Sequence, residues 1–376
     1  MSDYPLEAIA DVDLQNLGKR LWKWQLCSDC DGMPDCKSLT CPWSRRDRIQ
    51  PVLRRYERLC SYYMPDVVKR PALRRHQDLL NIMRLIQDRP NETKEQLMAQ
   101  HFVSPSRPIP TSDQERAFNL AVSVLLSLNC GVPNDCADNL EESADSFPWA
   151  SGLSVTQFVD AAVERGTNGI PSQYLQSFIS SELSARQLSS KAGIRFEATD
   201  DIRSHLRLDL SSRVVYIFDC TAALEETLSA TRQSSQRSIL PRALLLEILH
   251  TIYKVLFPPG RESKRFAKYL TKRCGFEKNF LRYRIRWYGR DDDPDVDFSY
   301  FGERLKELNH ELNDPSPRNW FERLFEGGTR SAERKMLMAT TIGVIIAVTI
   351  GLFGLVIAGF QAWVGYQQWK HPIKDS

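Results

Sequence analysis

Residues 336–363 read MLMATTIGVIIAVTIGLFGLVIAGFQAW, 28 consecutive positions without a charge. From Ile342 to Phe360 the run is Ile, Val, Leu and Phe, interrupted only by Gly, Ala and Thr349. An apolar helix needs about 20 residues to cross roughly 30 Å of hydrocarbon, so this stretch is long enough to span with some tilt. A core helix of that length normally shows a polar face, and none is present here. The flanks fit a span as well. Arg330, Arg334 and Lys335 lead in, and Trp363, Tyr366 and Trp369 follow as an interfacial aromatic belt. One C-terminal transmembrane helix is therefore expected, running from Met336 through Gly343, Gly351 and Phe360 to Trp363 in contact with the lipid bilayer.

The rest of the chain sets the expected orientation. Residues 1–17 are acidic and carry neither a basic n-region nor an apolar h-region, so no signal peptide is expected. With the only insertion signal near the C-terminus, the arrangement predicts a tail-anchored, single-pass protein with its body in the cytosol, at an endomembrane. Five Lys/Arg between Arg318 and Lys335, against Lys370 and Lys374 after the span, agree with that orientation. Ala339, Gly343, Ala347, Gly351, Gly354, Ala358 and Ala362 recur in steps of three and four, which keeps them on one stripe of a helix. Such a stripe predicts helix association, with a second copy or with a different partner.

Composition limits the remainder. In 376 residues, 50 Lys+Arg oppose 47 Asp+Glu, and 42% hydrophobic with 26% charged residues are ordinary globular values. Wholesale disorder, a collagen repeat and a polytopic transporter are thereby excluded. The hydrophobic spacing predicts a mainly α fold with a small β-hairpin element. Ser112-x-x-Glu115 and Ser154-x-x-Gln157 read as capping boxes opening helices. Pro171 to Ser190 gives another helix, and Pro241 to Phe257 the strongest. Leu206 to Leu210 alternates, Ser211-Ser212-Arg213 can turn the chain, and Val214 to Phe218 returns, which predicts a hairpin near 206–218. The expected organisation is a Cys- and Arg-rich helical region at 1–104, a Pro-rich linker at 105–111, a helical body at 112–313, a juxtamembrane linker at 314–335, the span at 336–363 and a short tail at 364–376.

Four of the nine cysteines fall close together, as Cys27-x2-Cys30-x5-Cys36-x4-Cys41. Thiolates at this spacing can fold a loop around zinc, which takes four S or N ligands tetrahedrally. The pattern is close to a zinc knuckle, but Cys36 stands where that motif has His, after one extra residue. Cys60 and His76 are candidate substitute ligands. The plainer alternative is reduced, unliganded cysteines beside an aromatic surface of Trp22, Trp24 and Trp43; a disulfide framework is disfavoured in a reducing compartment.

Two basic blocks stand out, at 45–75 and 261–290. In the second, Leu281-Arg282-Tyr283-Arg284-Ile285-Arg286-Trp287 has period two, so a strand would set Arg282, Arg284 and Arg286 on one face. The plain reading is a solvated face partly neutralised by the aspartates that follow; the functional reading is contact with anionic lipid. Nucleic acid is not expected, because no base-stacking aromatics share that face and Asp200-Asp201 would repel phosphate at the one winged-helix-like element. The usual nucleotide-binding, nucleophile-elbow and metalloprotease motifs are missing from the sequence, and Cys220 with His205 is the only pairing that suggests a thiol nucleophile. No enzymatic activity is expected.

Several stretches together resemble a family of uncharacterised filamentous-fungal proteins that end in one membrane span. They are Thr199-Asp200-Asp201-Ile202-x-x-His205-Leu206, Leu240-Pro241-Arg242, Phe301-Gly302-x-Arg304-Leu305-x-x-Leu308, Pro317-Arg318-x-Trp320 and the terminal run Gln361-Ala362-Trp363, Tyr366-Gln367 and Trp369-Lys370-His371-Pro372. The likeness covers about 154–372 and implies architecture and membrane residence, but no reaction. The expectation is a non-enzymatic interaction or adaptor protein that engages an unidentified protein partner from a membrane face. The alternative is a zinc-stabilised binding module at that surface.

Overall fold

The computed structural model describes residues 6, 8–65, 71–103, 109–131, 147–163, 183–232, 238–278, 280, 290, 293, 296–316 and 331–370, with backbone alone at 331–339, 342 and 368. The chain divides into two units, 1–313 and 314–376.

The first unit is mainly helical. Helix α1 (Asp11–Trp22) opens with two acids at its positive end, where Asp13 accepts the Ala10 amide at 2.9 Å, and it buries Leu14, Leu17, Gly18 and Trp22 along one face. A 3₁₀ turn (Pro42–Arg45) leads into α2 (Arg46–Ser61). Next come α3 (His76–Asp88), α4 (Lys94–His101), α5 (Thr111–Leu126), α6 (Val155–Ala162) and α7 (Ala185–Lys191). Helix α3 packs against both α1 and α5, and α1 and α2 both reach α8 (Thr221–Ala230). The N-terminal region and the body thus share one unit. Of the expected linker at 105–111, residues 105–108 lie outside the described residues.

The expected hairpin is present but shorter and part of a larger sheet. Strand β2 (Leu208–Asp209) pairs antiparallel with β3 (Val214–Phe218), and β1 (Arg195–Thr199) pairs parallel with β3 in the register Arg195↔Val214 to Thr199↔Phe218. The order β1-β3-β2 puts the most apolar strand in the middle, with Val214, Val215, Ile217 and Phe218 buried. Asp209 closes the turn by accepting from the Ser211 amide and the Ser211 and Ser212 hydroxyls at 2.6–2.8 Å.

Local signals met mixed fates. Ser154 and Gln157 form their capping box at the start of α6. Ser112 does not cap α5, because Pro110 holds the cap position and the helix begins at Thr111, two residues before the box would start it. Most of the helix expected at 171–190 lies outside the described residues, and its end is seen as α7. Helix α9 (Arg242–His250) forms as expected after Pro241 and runs into a π-helical turn, Thr251–Leu256, that ends before Pro258. Helices α10 (Arg261–Arg273) and α11 (Gly302–Asn313) are the last described helices of the unit.

Glu247, buried on α9, caps the start of α11 by accepting the Tyr300 amide at 3.0 Å together with the Phe301 amide. Burial nevertheless raises its carboxyl to about 7.

The second unit contains α12 (Ser331–Lys370). Within it, Gly343–Gln367 is long and apolar enough to cross a membrane, at about 37 Å for a rise of 1.5 Å per residue. None of that stretch is buried against protein, which sets it apart from a core helix. Thr349 satisfies its hydroxyl on the Ile345 carbonyl at 2.7 Å.

Between its ordinary value of 4.5 and about 7, Glu247 holds a proton in the folded chain that the unfolded chain gives up. Its contribution is therefore complete below 4.5 and is lost as pH rises through about 7. The unfolding temperature of wild type should fall relative to Glu247→Gln across that window; parallel curves would contradict the assignment.

Candidate metal centre

The four clustered cysteines converge because two short turns and the loop between them fold residues 27–45 back on themselves. Cys27 precedes and Cys30 ends a 3₁₀ turn (Ser28–Cys30), and Cys41 stands immediately before the turn Pro42–Arg45. The fourth, Cys36, comes from the intervening loop. Sγ of Cys27 lies 3.5 Å from Sγ of Cys36, and Sγ of Cys30 lies 3.6 Å from Sγ of Cys41. All four sulfurs are within 4.8 Å of one another, and all four residues are free thiols. A tetrahedron with metal–sulfur bonds of about 2.3 Å has edges of about 3.8 Å, so these separations fit four ligands of one ion. A disulfide would need about 2.05 Å. The cluster could hold a metal ion. Cys30 and Cys41 are buried, while Cys27 and Cys36 are half-buried.

The thiols are not equivalent. Burial pushes the Cys30 thiol well up, aided by hydrogen bonds among the cysteines, and burial also raises Cys36. Burial opposes ionisation at Cys41 too. There, hydrogen bonds from the backbone of Cys27 and Trp43 and from the Cys30 and Cys36 thiols prevail and bring it down to about 7. One sulfur is thus prepared for negative charge, as a metal-binding thiolate requires.

Gln15 holds the loop from α1. It is fully buried, donates from Nε2 to the carbonyls of Cys30 at 2.6 Å and Met33 at 3.2 Å, and accepts the Gly32 amide at 2.9 Å. Trp43 donates from Nε1 to the same Met33 carbonyl at 2.8 Å. Trp22, Trp24 and Trp43 are buried rather than forming a surface, with ring centroids 5.0 Å and 6.4 Å apart in sequence. Gly18 makes this packing feasible. A Cβ there would meet the Trp24 ring at 2.4 Å.

Beneath the tryptophans, α8 supplies two buried carboxylates. Glu226 takes both Nε and Nη2 of Arg45 at 2.9 Å and the Trp24 indole N–H at 3.2 Å. Glu225 takes Nη2 of Arg48 at 2.6 Å, and Trp22 donates to the Thr227 hydroxyl at 3.1 Å. Sequence reasoning missed Gln15, Glu225 and Glu226. The available signal was a Glu-Glu pair set in an otherwise small and apolar stretch.

Other expected residues fall elsewhere. Cys60 and His76 do not join the cluster; Nδ1 of His76 hydrogen-bonds the Tyr56 hydroxyl at 2.7 Å. Cys220 and His205 do not pair. His205 is fully buried, with Nε2 against the Thr251 hydroxyl at 2.7 Å and Nδ1 accepting the Phe218 amide at 3.2 Å. Asp200 binds Arg55 at 2.6 Å and also Arg58, so the basic α2 meets an acid of the body. Arg282, Arg284 and Arg286 lie outside the described residues. Gly343, Ala347, Gly351, Gly354, Ala358 and Ala362 all lie on α12, where Ala339 and Met336 are described by backbone alone. Gly343, Gly351, Phe360 and Trp363 belong to its membrane-length stretch.

No protein-family model, curated protein or solved structure matches the chain.

Glu226→Ala removes the acceptor that Arg45 and Trp24 share, and breaking a buried pair from one side costs about 3–5 kcal/mol. Glu303→Ala, at an exposed pair with Lys306, should cost less than about 1 kcal/mol. Denaturant unfolding of the two variants checks the contrast; equal losses would remove Glu226 from this role.

Proposed function

We propose that this chain is a non-enzymatic interaction protein held at a membrane by α12, with an N-terminal binding loop shaped by one zinc ion. The observation that carries the reading is the convergence of four free thiols at tetrahedral spacing. Cys27, Cys30, Cys36 and Cys41 would hold the ion. Four protein sulfurs leave no open position, so zinc would supply cross-linking of the loop rather than catalysis. A soft, all-thiolate donor set favours zinc over magnesium or calcium.

The loop so held presents a partner surface. Met33 and Leu39 are exposed on it, as are Asp29, Asp31 and Asp35, of which Asp31 lies 3.9 Å from Lys19. Exposed apolar side chains on a loop that also carries three exposed carboxylates suit a protein partner that brings an apolar anchor and basic residues. The apolar, unburied length of α12 supports membrane residence, and the excess of Lys/Arg before it supports a body that faces the cytosol.

Full-length protein purified in detergent without chelator should carry about one zinc per chain, released in step with mercurial modification of thiols. Cys27→Ser and Cys41→Ser should each abolish that zinc. A metal-free protein with four freely reactive thiols would overturn the zinc reading. Extraction of membranes with alkaline carbonate should leave the chain in the pellet, and its release would overturn the anchor.

A further inference from the structure

Helix α10 has the sequence RESKRFAKYLTKR and no part in the thiol cluster. It carries six Lys/Arg against Glu262 alone. At 100° per residue, Arg261, Lys264, Arg265, Lys268 and Lys272 fall within a sector about 100° wide, and Ala267 and Leu270 lie opposite. The structure places them accordingly. Ala267 and Leu270 are buried in the unit, whereas Arg261, Lys264, Arg265, Lys268, Lys272 and Arg273 are all exposed. Glu262 is already engaged, its carboxylate 3.3 Å from Nε of Arg186. Among the described residues, Lys264, Arg265, Lys268, Lys272 and Arg273 form no ion pair. Tyr269 stands exposed at the edge of the cationic sector, its ring stacked against Phe266 at 6.0 Å.

A solvated helix face gains nothing from this arrangement. Like charges three and four residues apart repel, and an exposed aromatic among them adds apolar surface in water. Both features suit a layer of anionic headgroups over an apolar boundary, where cations meet phosphate and tyrosine sits at the interface. The same chain supplies the surface, because α12 is long and apolar enough to lie in a bilayer.

We propose that the outward face of α10 docks on anionic phospholipid. Arg261, Lys264, Arg265, Lys268 and Lys272 contact the headgroups and Tyr269 enters the interface. This docking would hold the body against the leaflet that anchors it. The proposal rests on the membrane residence of α12 and not on the zinc.

The test uses the full-length chain in nanodiscs of phosphatidylcholine, with and without phosphatidylserine. Incorporation into discs checks the anchor separately from the docking. Lys264, Lys268 and Lys272 are then acylated with an amine-reactive ester and read by mass spectrometry, with the exposed Lys37 as reference. Each cation near an anionic leaflet favours the docked state by about five-fold, so phosphatidylserine should slow acylation of the three lysines several-fold relative to Lys37. High salt should restore the rate. The variant Arg261→Glu/Arg265→Glu, at exposed positions that leave the fold intact, should abolish the protection while keeping the wild-type unfolding temperature. Equal acylation in both discs would overturn the proposal. Protection by added duplex nucleic acid in neutral discs, without protection by phosphatidylserine, would overturn it too and reassign the face.

Discussion

Glu225 and Glu226 are neighbours on α8, and both carboxylates are withdrawn from water. Leaving either one unpaired in the interior would cost several kcal/mol, so the packing around α8 has to bring cations to them. Arg45 and Arg48 do so from the turn before α2 and from its first turn, and the Trp24 indole fills the remaining side of Glu226. These bonds join residues nearly two hundred positions apart. They fix the level at which α2 starts and the place of the tryptophan cluster, and with them the frame on which residues 27–41 fold.

On that frame the cysteine loop is positioned from both ends. Gln15 holds the carbonyls of Cys30 and Met33 from α1, and Trp43 holds Met33 from the other side. What remains for the four sulfurs is the interior of a small loop with little apolar surface of its own. Reduced thiols are weak hydrogen-bond partners and would not by themselves draw such a loop tight. A metal would, through bonds far stronger than the packing available. The scaffold explains where the loop sits, and a bound ion would explain why four cysteines converge in it.

The parts legible in the sequence are those with local causes. The apolar run ending at Trp363 needs no partner to be read, and it forms a single helix. Ser154 and Gln157 lie within one turn of each other and make their box. The spacing of the four cysteines carries its own meaning, although it could not decide between a metal site and idle thiols. Ser112 and Glu115 show how a local rule loses to a stronger one, because Pro110 starts the helix first. The parallel pairing of β1 with β3 was not legible, since it joins strands across the turn and hairpin arm between them. Nor was the docking of the N-terminal helices on α8, which depends on ion pairs between residues distant in the chain. Gln15 was hidden for a similar reason. A glutamine on a helix face declares itself only when the loop it must satisfy is seen.

Zinc K-edge absorption on the full-length protein, purified in detergent without chelator, reads the ligands of the thiol cluster themselves. A zinc site closed by four thiolates requires a shell of four sulfurs at about 2.3 Å and no other ligand. A shell containing oxygen or nitrogen, or the absence of zinc from folded protein, would contradict it.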